Sequence, residues 1–245
     1  MIKAIKYFET ETGIIIPAVT REQMVEIDRI AINVTGPNLF QMMENAGRNL
    51  AELTIRVLRN NRKQSIMVLA GTGGNGGGGI SSARHLANKG FNVKVCITEP
   101  EKLKEVPAYQ LHILKYTTAK IISVKDLQNE NPDIIIDAII GYSLSGELKG
   151  KAFELIKWAD QKHSTKISLD IPSGVNANTG ESSKNFIKPD LTLTLALPKT
   201  GLLPELSGEL FLGDIGIPKK VFEKIGLNFG NVFANSYLIK ISEKN

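Results

Sequence analysis

Cysteine is nearly absent: Cys96 is the only one in 245 residues, so there is no internal disulfide framework. Its place inside an apolar run marks it as a core filler rather than a reactive thiol. Aromatics are sparse at 6%, and the basic residues behind the net charge of +5 are scattered rather than gathered. Without a basic stripe or an aromatic stacking platform, nucleic-acid binding is not expected. The charge reads as a solvated surface, or as a general attraction for phosphorylated small molecules. His85, His112 and His163 form no HExxH motif and pair with no CxxC, which argues against zinc. No apolar run approaches the roughly 18 residues of a membrane span. The first 21 residues hold only a short apolar run, Ile14-Ile15-Ile16, ended by Pro17, which is not an export signal. The expectation is a cytoplasmic protein with no membrane partner: one domain over residues 20–245, preceded by an extension over residues 1–19 with no assignable role.

What the chain does have is an alternation of short apolar runs and helical patterns. Thr20 with Gln23 three residues later reads as a capping box, and Met24, Ile27 and Ile30 follow at helical spacing. Gly36-Pro37 ends that helix, and a second covers about residues 38–58. Apolar runs at 65–70, 91–97, 120–123, 134–140, 166–169 and 191–195 read as strands. Helical patterns at 80–89, 107–116 and 149–159 lie among them. This order implies an α/β fold with a mostly parallel central sheet covered on both faces and a helical amino-terminal layer. The Pro- and Gly-rich stretch after Leu195 is expected to add mixed or antiparallel edge strands.

The first strand runs into Gly71-Thr72-Gly73-Gly74-Asn75-Gly76-Gly77-Gly78-Gly79. A strand, a Gly-rich turn and a helix amino terminus together make an anion cradle, because unpaired N–H groups and the helix dipole point to one place. Gly71-x-Gly73-x-x-Gly76 is the dinucleotide pattern, weak by itself, with Glu99 as a candidate ribose partner. No Lys-Ser/Thr pair follows, so this is not a Walker A loop. Asn75 reads either as an oxygen donor to a cation or ligand, or as a turn asparagine. Asp137 and Asp170 each close an apolar strand, at the sheet edge where α/β proteins bind ligands. Asp170-Ile171-Pro172-Ser173-Gly174 brings Ser173 close to Asp170, and the run from Asp137 to Gly146 offers a second cradle. Two carboxylates, an amide and a hydroxyl form a hard-oxygen set suited to potassium or magnesium rather than zinc.

These motifs together resemble the YjeF amino-terminal domain family, whose characterised enzymes are NAD(P)H-hydrate epimerases. Met24-Val25-Glu26-Ile27-Asp28 and Met43-Glu44-Asn45-Ala46-Gly47 are similar to its helical motifs. Residues 71–79 are similar to its G-x-G-N-N-G-G-D-G turn, and Asp170–Gly174 to its D-x-P-S-G motif. Pro198-Lys199-Thr200-Gly201, Gly208-Glu209-Leu210 and Asp214-Ile215-Gly216-Ile217-Pro218 resemble its later signatures.

The resemblance implies a Rossmann-like three-layer α/β/α sandwich and an isomerase that interconverts the R and S hydrates of NADH and NADPH, working as a homodimer with one potassium ion per subunit. It implies Asn75, Asp137 and Ser173 as potassium ligands. It implies contacts to the hydrated nucleotide from Gly74, Asn75, Gly76, Gly77 and Gly78, from Gly141, Tyr142, Ser143, Leu144, Ser145, Gly146 and Glu147, and from Asp170. Asp170 is the expected acid/base group, with burial as the means of starting protonated and water as the returning nucleophile. An ADP- or ATP-dependent dehydratase is expected as a separate pathway partner. The chain departs from the family at Gly74 and Gly78, which replace an Asn and an Asp. A nucleotide-binding or scaffold protein of the same fold, with weakened or lost catalysis, is therefore the alternative. An ordinary dehydrogenase is a poorer one, since no separate substrate domain is visible.

Overall fold

The computed structural model describes residues 6–144 and 146–244. Its framework is one ten-stranded sheet in the order β2-β1-β10-β9-β8-β7-β6-β3-β4-β5. The strands are β1 (Tyr7–Thr10), β2 (Ile15–Pro17), β3 (Ser65–Ala70), β4 (Asn92–Ile97), β5 (Lys120–Ile122) and β6 (Ile134–Ala138), followed by β7 (Thr165–Leu169), β8 (Leu191–Leu195), β9 (Glu209–Gly213) and β10 (Leu238–Glu243). The helices are α1 (Arg21–Ile30), α2 (Leu39–Leu58), α3 (Gly74–Asn88), α4 (Glu105–Leu114), α5 (Gly150–Asp160), α6 (Pro204–Ser207) and α7 (Lys219–Lys224). The run from β9 to β5 is parallel throughout, while β10, β1 and β2 are antiparallel. Of the late segments, only β10 is therefore an antiparallel addition; β9 continues the parallel sheet.

Strand alternation divides the core. Ile66, Val68 and Ala70 of β3 face a cluster that holds Leu50 and Leu53 of α2 and Ile80 and Leu86 of α3. Met67 and Leu69 face the opposite cluster, with Leu155 and Ile156 of α5. A third cluster packs Met24 and Ile27 of α1 and Val221 and Phe222 of α7 against Phe8, Ile16 and Ile241. Helix α1 starts as its sequence predicts: the Gln23 N–H donates to Thr20 Oγ1 at 3.2 Å, and the Thr20 N–H to Gln23 Oε1 at 2.9 Å.

The segment before Thr20, without an assignable role in the sequence, builds the edge of the sheet. Phe8 and Ile16 are fully buried, and β1 covers the β10 edge that would otherwise expose its backbone groups. The same segment then delivers Val19 to the chain just beyond β8. The Val19 N–H donates to Pro198 O at 2.9 Å, and the Thr200 N–H donates to Val19 O at 3.0 Å.

The glycine run corrects the sequence expectation of a nine-residue turn. The turn is only residues 71–73; α3 begins at Gly74, six residues earlier than its apolar pattern indicated. The later glycines are first-turn and second-turn helix positions pressed against neighbours. A Cβ at Gly76 would stand 1.9 Å from Gly71 O, one at Gly77 2.3 Å from Met43 Sδ, and one at Gly79 2.5 Å from Ala138 Cβ. Close approach of α3 to the preceding turn, to α2 and to the sheet, rather than loop flexibility, accounts for them. A Cβ at Gly74 meets nothing within 4 Å. We therefore expect Gly76→Ala to lower stability by about 1–3 kcal/mol through overpacking against backbone. Gly74→Ala, at a compatible φ, should stabilise by roughly 0.4–1 kcal/mol. Denaturant melts of the two variants decide it, and equal effects would remove the packing explanation.

Candidate functional site

The order of strands reverses at β3: the chain runs outward through β4 and β5, then returns on the other side of β3 as β6. In open α/β sheets ligands bind beyond the carboxyl ends of the strands at such a switch point. Here that point joins the start of α3, after β3, to the loop after β6. Four N–H groups at an α-helix start have no intrahelical acceptor, and the helix dipole adds positive character there. Residues 73–76 hold those positions in α3.

Two hollows meet at this point. One, of about 240 Å³, reaches from Met24 and Asp28 to Asn75, Tyr142, Asp170 and Lys199. The other, of about 550 Å³, is lined by residues 71–75, Glu99, Leu144, Glu147, Lys149 and Lys151 among others. Gly74, Asn75, Gly141 and Ser143 line both. The smaller hollow has an apolar wall, from Leu39, Met42, Met43 and Leu169, and a charged end.

The charged end comes from the tips of consecutive strands. Asp170, one residue past β7, has φ = +69°, a left-handed conformation that is uncommon outside glycine. Its Oδ1 accepts from the Lys199 ammonium, from Leu195 N–H at 3.2 Å and from Thr194 Oγ1 at 3.4 Å. The side chains of Lys199 and Asp170 are only 1% and 5% exposed. Lys199 also donates to Leu195 O at 2.9 Å and lies 5.8 Å from the centre of the Tyr142 ring. A Cβ on Gly141 would stand 3.3 Å from Asp170 Oδ2 and 3.1 Å from Asn75 Oδ1. The glycine lets the amide of α3 and the carboxylate of β7 approach the same point. Asp170 is buried, and a buried ammonium faces it.

Asp137 is fully buried at the tip of β6. Its Oδ1 accepts from Ser173 Oγ at 2.5 Å and Ile139 N–H at 3.3 Å, and its Oδ2 from Ser173 N–H and Ser168 Oγ, both at 2.8 Å. Burial still pushes its carboxyl above the usual range, against the pull of these donors. Within the lining of the smaller hollow, Tyr142 Oη donates to Asp28 Oδ2. Asp28 Oδ1 and Asn75 Nδ2 are buried with no hydrogen-bond partner among the described residues.

The expected site residues divide accordingly. Gly74, Asn75, Gly141, Tyr142, Ser143 and Asp170 line the smaller hollow, and Leu144 and Glu147 the larger. Gly76, Gly77 and Gly78 line neither; they are the packing positions of α3. Gly146 is exposed at φ = +72° and also lines neither. Ser145 lies outside the described residues. Asp28 and Lys199 belong to the site but were not singled out as site residues in the sequence. A carboxylate four residues after Met24 on the apolar stripe of α1, and a lysine just beyond an apolar strand, were the available signals.

Residues 39–201 match the family described as YjeF-related protein N-terminus. The chain belongs to this family. It is 48% identical over 237 residues to a protein of Dehalogenimonas lykanthroporepellens named NAD(P)H-hydrate epimerase, covering 96% of this chain and 97% of that one. A protein of the same name from Elusimicrobium minutum is 33% identical over 84% of this chain and 99% of its own length. The bifunctional NAD(P)H-hydrate repair enzyme of Hyperthermus butylicus is 32% identical over 78% of this chain, but only 37% of its own length is matched. The fold of the crystal structure of yeast ynu0, YNL200c, superposes with a TM-score of 0.81 over 91% of this chain and 99% of that one, at 24% identity. Against the family turn, the two replaced positions differ in kind. Gly74 faces open space, whereas a Cβ on Gly78 would lie 2.8 Å from Leu169 Cδ2. Leu169 occupies the room that a side chain at position 78 needs.

Truncating Lys199 alone leaves Asp170 buried without its cation. Lys199→Met is expected to destabilise the fold by about 3–5 kcal/mol. Adding Asp170→Asn, which keeps an amide tolerant of positive φ, should recover much of the loss. Chemical denaturation of both variants checks this; equal destabilisation by the single and double variants would show that the ion pair is not the cause.

Proposed function

We propose that this protein is an NAD(P)H-hydrate epimerase that acts through Asp170 in the hollow between α1, α3 and the tips of β6, β7 and β8. The observation that carries the reading is the convergence of Asn75 Oδ1 and Asp170 Oδ2 on Gly141, at the start of α3. An anionic nucleotide and a reacting ring are then served by adjoining groups. In this reading the phosphates lie at the N–H groups of residues 73–76, and the larger hollow, with Lys149 and Lys151, takes the rest of the nucleotide. The smaller hollow, apolar on one wall, takes the reduced nicotinamide ring.

The substrate carries a hydroxyl at C6, beside the ring nitrogen. The nitrogen lone pair expels it once the oxygen is protonated, and the planar iminium accepts water on either face. Asp170, fixed as an acceptor by Lys199, Leu195 N–H and Thr194, suits the removal of a proton from the returning water. The backbone strain at Asp170 and the ion pair together aim its free Oδ2 towards Gly141.

A monovalent cation such as potassium fits the residues beside this point. Asp137, Ser173 and Asn75 would offer a carboxylate, a hydroxyl and an amide oxygen as ligands, with one formal charge, and Ser173 Oγ already donates to Asp137 Oδ1 at 2.5 Å. A potassium ion held there would supply positive charge that orders the surrounding loops and a nearby phosphate. The reading extends to a homodimer in the cytoplasm whose product is used by an ADP- or ATP-dependent dehydratase. Relatives named as bifunctional repair enzymes support that link. Among the described residues, no helix is long and apolar enough to cross a membrane.

Purified protein given a single epimer of NADH hydrate should equilibrate it with the other. Asp170→Asn should slow this by about 10²–10⁴-fold, and exchange of potassium for a bulky organic cation should slow it too. Nucleotide binding with conversion no faster than background would favour the alternative, a binding protein of this fold without catalysis.

A further inference from the structure

An epimerisation that removes and returns water needs a proton donor as well as a base, and the structure occupies Asp170 as an acceptor. Only one other carboxyl lines the same hollow among the described residues: Asp28, on the buried stripe of α1. We propose that Asp28, anchored by the Tyr142 hydroxyl, is the catalytic acid that expels the C6 hydroxyl, with Asp170 as the base for the returning water. This rests on the epimerase reading and adds to it a second catalytic residue.

Geometry supports the assignment. Oδ2 of Asp28 is taken by Tyr142, which fixes the plane of the carboxyl. Oδ1 is buried, lacks a partner and belongs to a side chain that lines the hollow. A buried polar atom without a partner demands an explanation, and a substrate hydroxyl supplies one. The charges around it also differ from those at Asp170. Tyr142 from the loop after β6, Lys199 from beyond β8 and Asp170 from the tip of β7 all act on Asp28, and Arg21, on its own helix, acts on Tyr142. Burial, the largest influence, pushes the Asp28 carboxyl up; Tyr142 and Lys199 pull it down by less, and the Asp170 charge adds to the rise. The two carboxyls are also held by different partners: the Lys199 ammonium donates to Asp170, and the Tyr142 hydroxyl to Asp28. Tyr142 itself is driven far up by burial and by Asp28, so it remains a hydrogen-bond donor.

The steps balance. The C6–O bond breaks, its electron pair leaves with oxygen, and oxygen takes the Asp28 proton and departs as water. The nitrogen lone pair becomes the C6=N π bond. On the other face a water oxygen bonds to C6, the π pair returns to nitrogen, and one water proton passes to Asp170. Asp28 is then a carboxylate and Asp170 is protonated. Transfer of that proton back to Asp28 through water restores the starting state.

The test is single-epimer conversion across a pH series, with nucleotide binding and thermal melting measured alongside. Asp28→Asn preserves the shape and can still accept from Tyr142. It should lower kcat by about 10²–10⁴-fold with little change in KM. Because the donor must be protonated, the wild-type rate should fall as pH rises through the Asp28 pKa, and that limb should vanish in Asp28→Asn. Tyr142→Phe removes a hydrogen bond that pulls the carboxyl down, so the fall should move to higher pH. Wild-type activity with Asp28→Asn within threefold, or an unchanged pH limb in both variants, would overturn the proposal. Loss of Asp28→Asn activity through misfolding is recognised by the melt, and the Tyr142→Phe shift then decides. A wild type that binds nucleotide without turnover would instead overturn the epimerase reading itself, and this inference with it.

Discussion

The ion pair between Asp170 and Lys199 is the interaction on which the site depends. Both side chains are almost fully removed from water, and taking a carboxylate and an ammonium out of solvent costs several kcal/mol per ion before their attraction offsets it. A packed hydrophobic pair of similar size is often no less stable. Stability alone is therefore a poor reason for such a pair. The strained backbone of Asp170 leads to the same conclusion, since an Asp held at positive φ also needs support from its surroundings. The pair makes sense as orientation: Lys199 and Leu195 N–H hold Oδ1, and this leaves Oδ2 towards Gly141 and Asn75.

That orientation is built from distant parts of the chain, which explains what could be read beforehand. Strands β3 and β8 match their apolar runs at both ends, and the Thr20–Gln23 capping box is formed. These are local signals, in which burial pattern or side-chain reach decides the structure within a few residues. The start of α3 was misplaced because glycine is a poor helix former and its run reads as a turn. Tertiary packing overrides that propensity: Gly71 O, Met43 and Ala138 approach so closely that only glycine fits opposite them. The position was visible in the sequence, but the physical reason for it was not.

The candidate site was legible in the same uneven way. Asp137, Ser173, Asn75 and Asp170 stand out because carboxylates at strand ends and an amide among glycines are rare against their apolar surroundings. Lys199 and Asp28 do not stand out, because a lysine after a strand and an aspartate in a helix are ordinary. Their meaning comes from burial, which the sequence does not state: Lys199 is 1% exposed and Asp28 Oδ1 is closed off from solvent. The edge strands were hidden for a related reason. Two strands of four and three residues, Tyr7–Thr10 and Ile15–Pro17, are too short to show a period, and only their pairing with β10 and each other defines them.

The amino-terminal segment links these observations. Its strands extend the sheet, and its continuation pairs Val19 with the chain around Lys199 before α1 begins. One stretch of backbone therefore fixes both the lysine that orients Asp170 and the start of the helix that carries Asp28. Arg21 N–H, at the first residue of α1, donates to Asn178 Oδ1 at 2.6 Å, and Asn178 lies in the loop that follows Ser173 and Gly174. The two carboxyls facing one hollow are thus positioned from a common anchor rather than independently. A segment outside the matched span of residues 39–201 is, on this geometry, part of what sets the distance between Asp28 and Asp170.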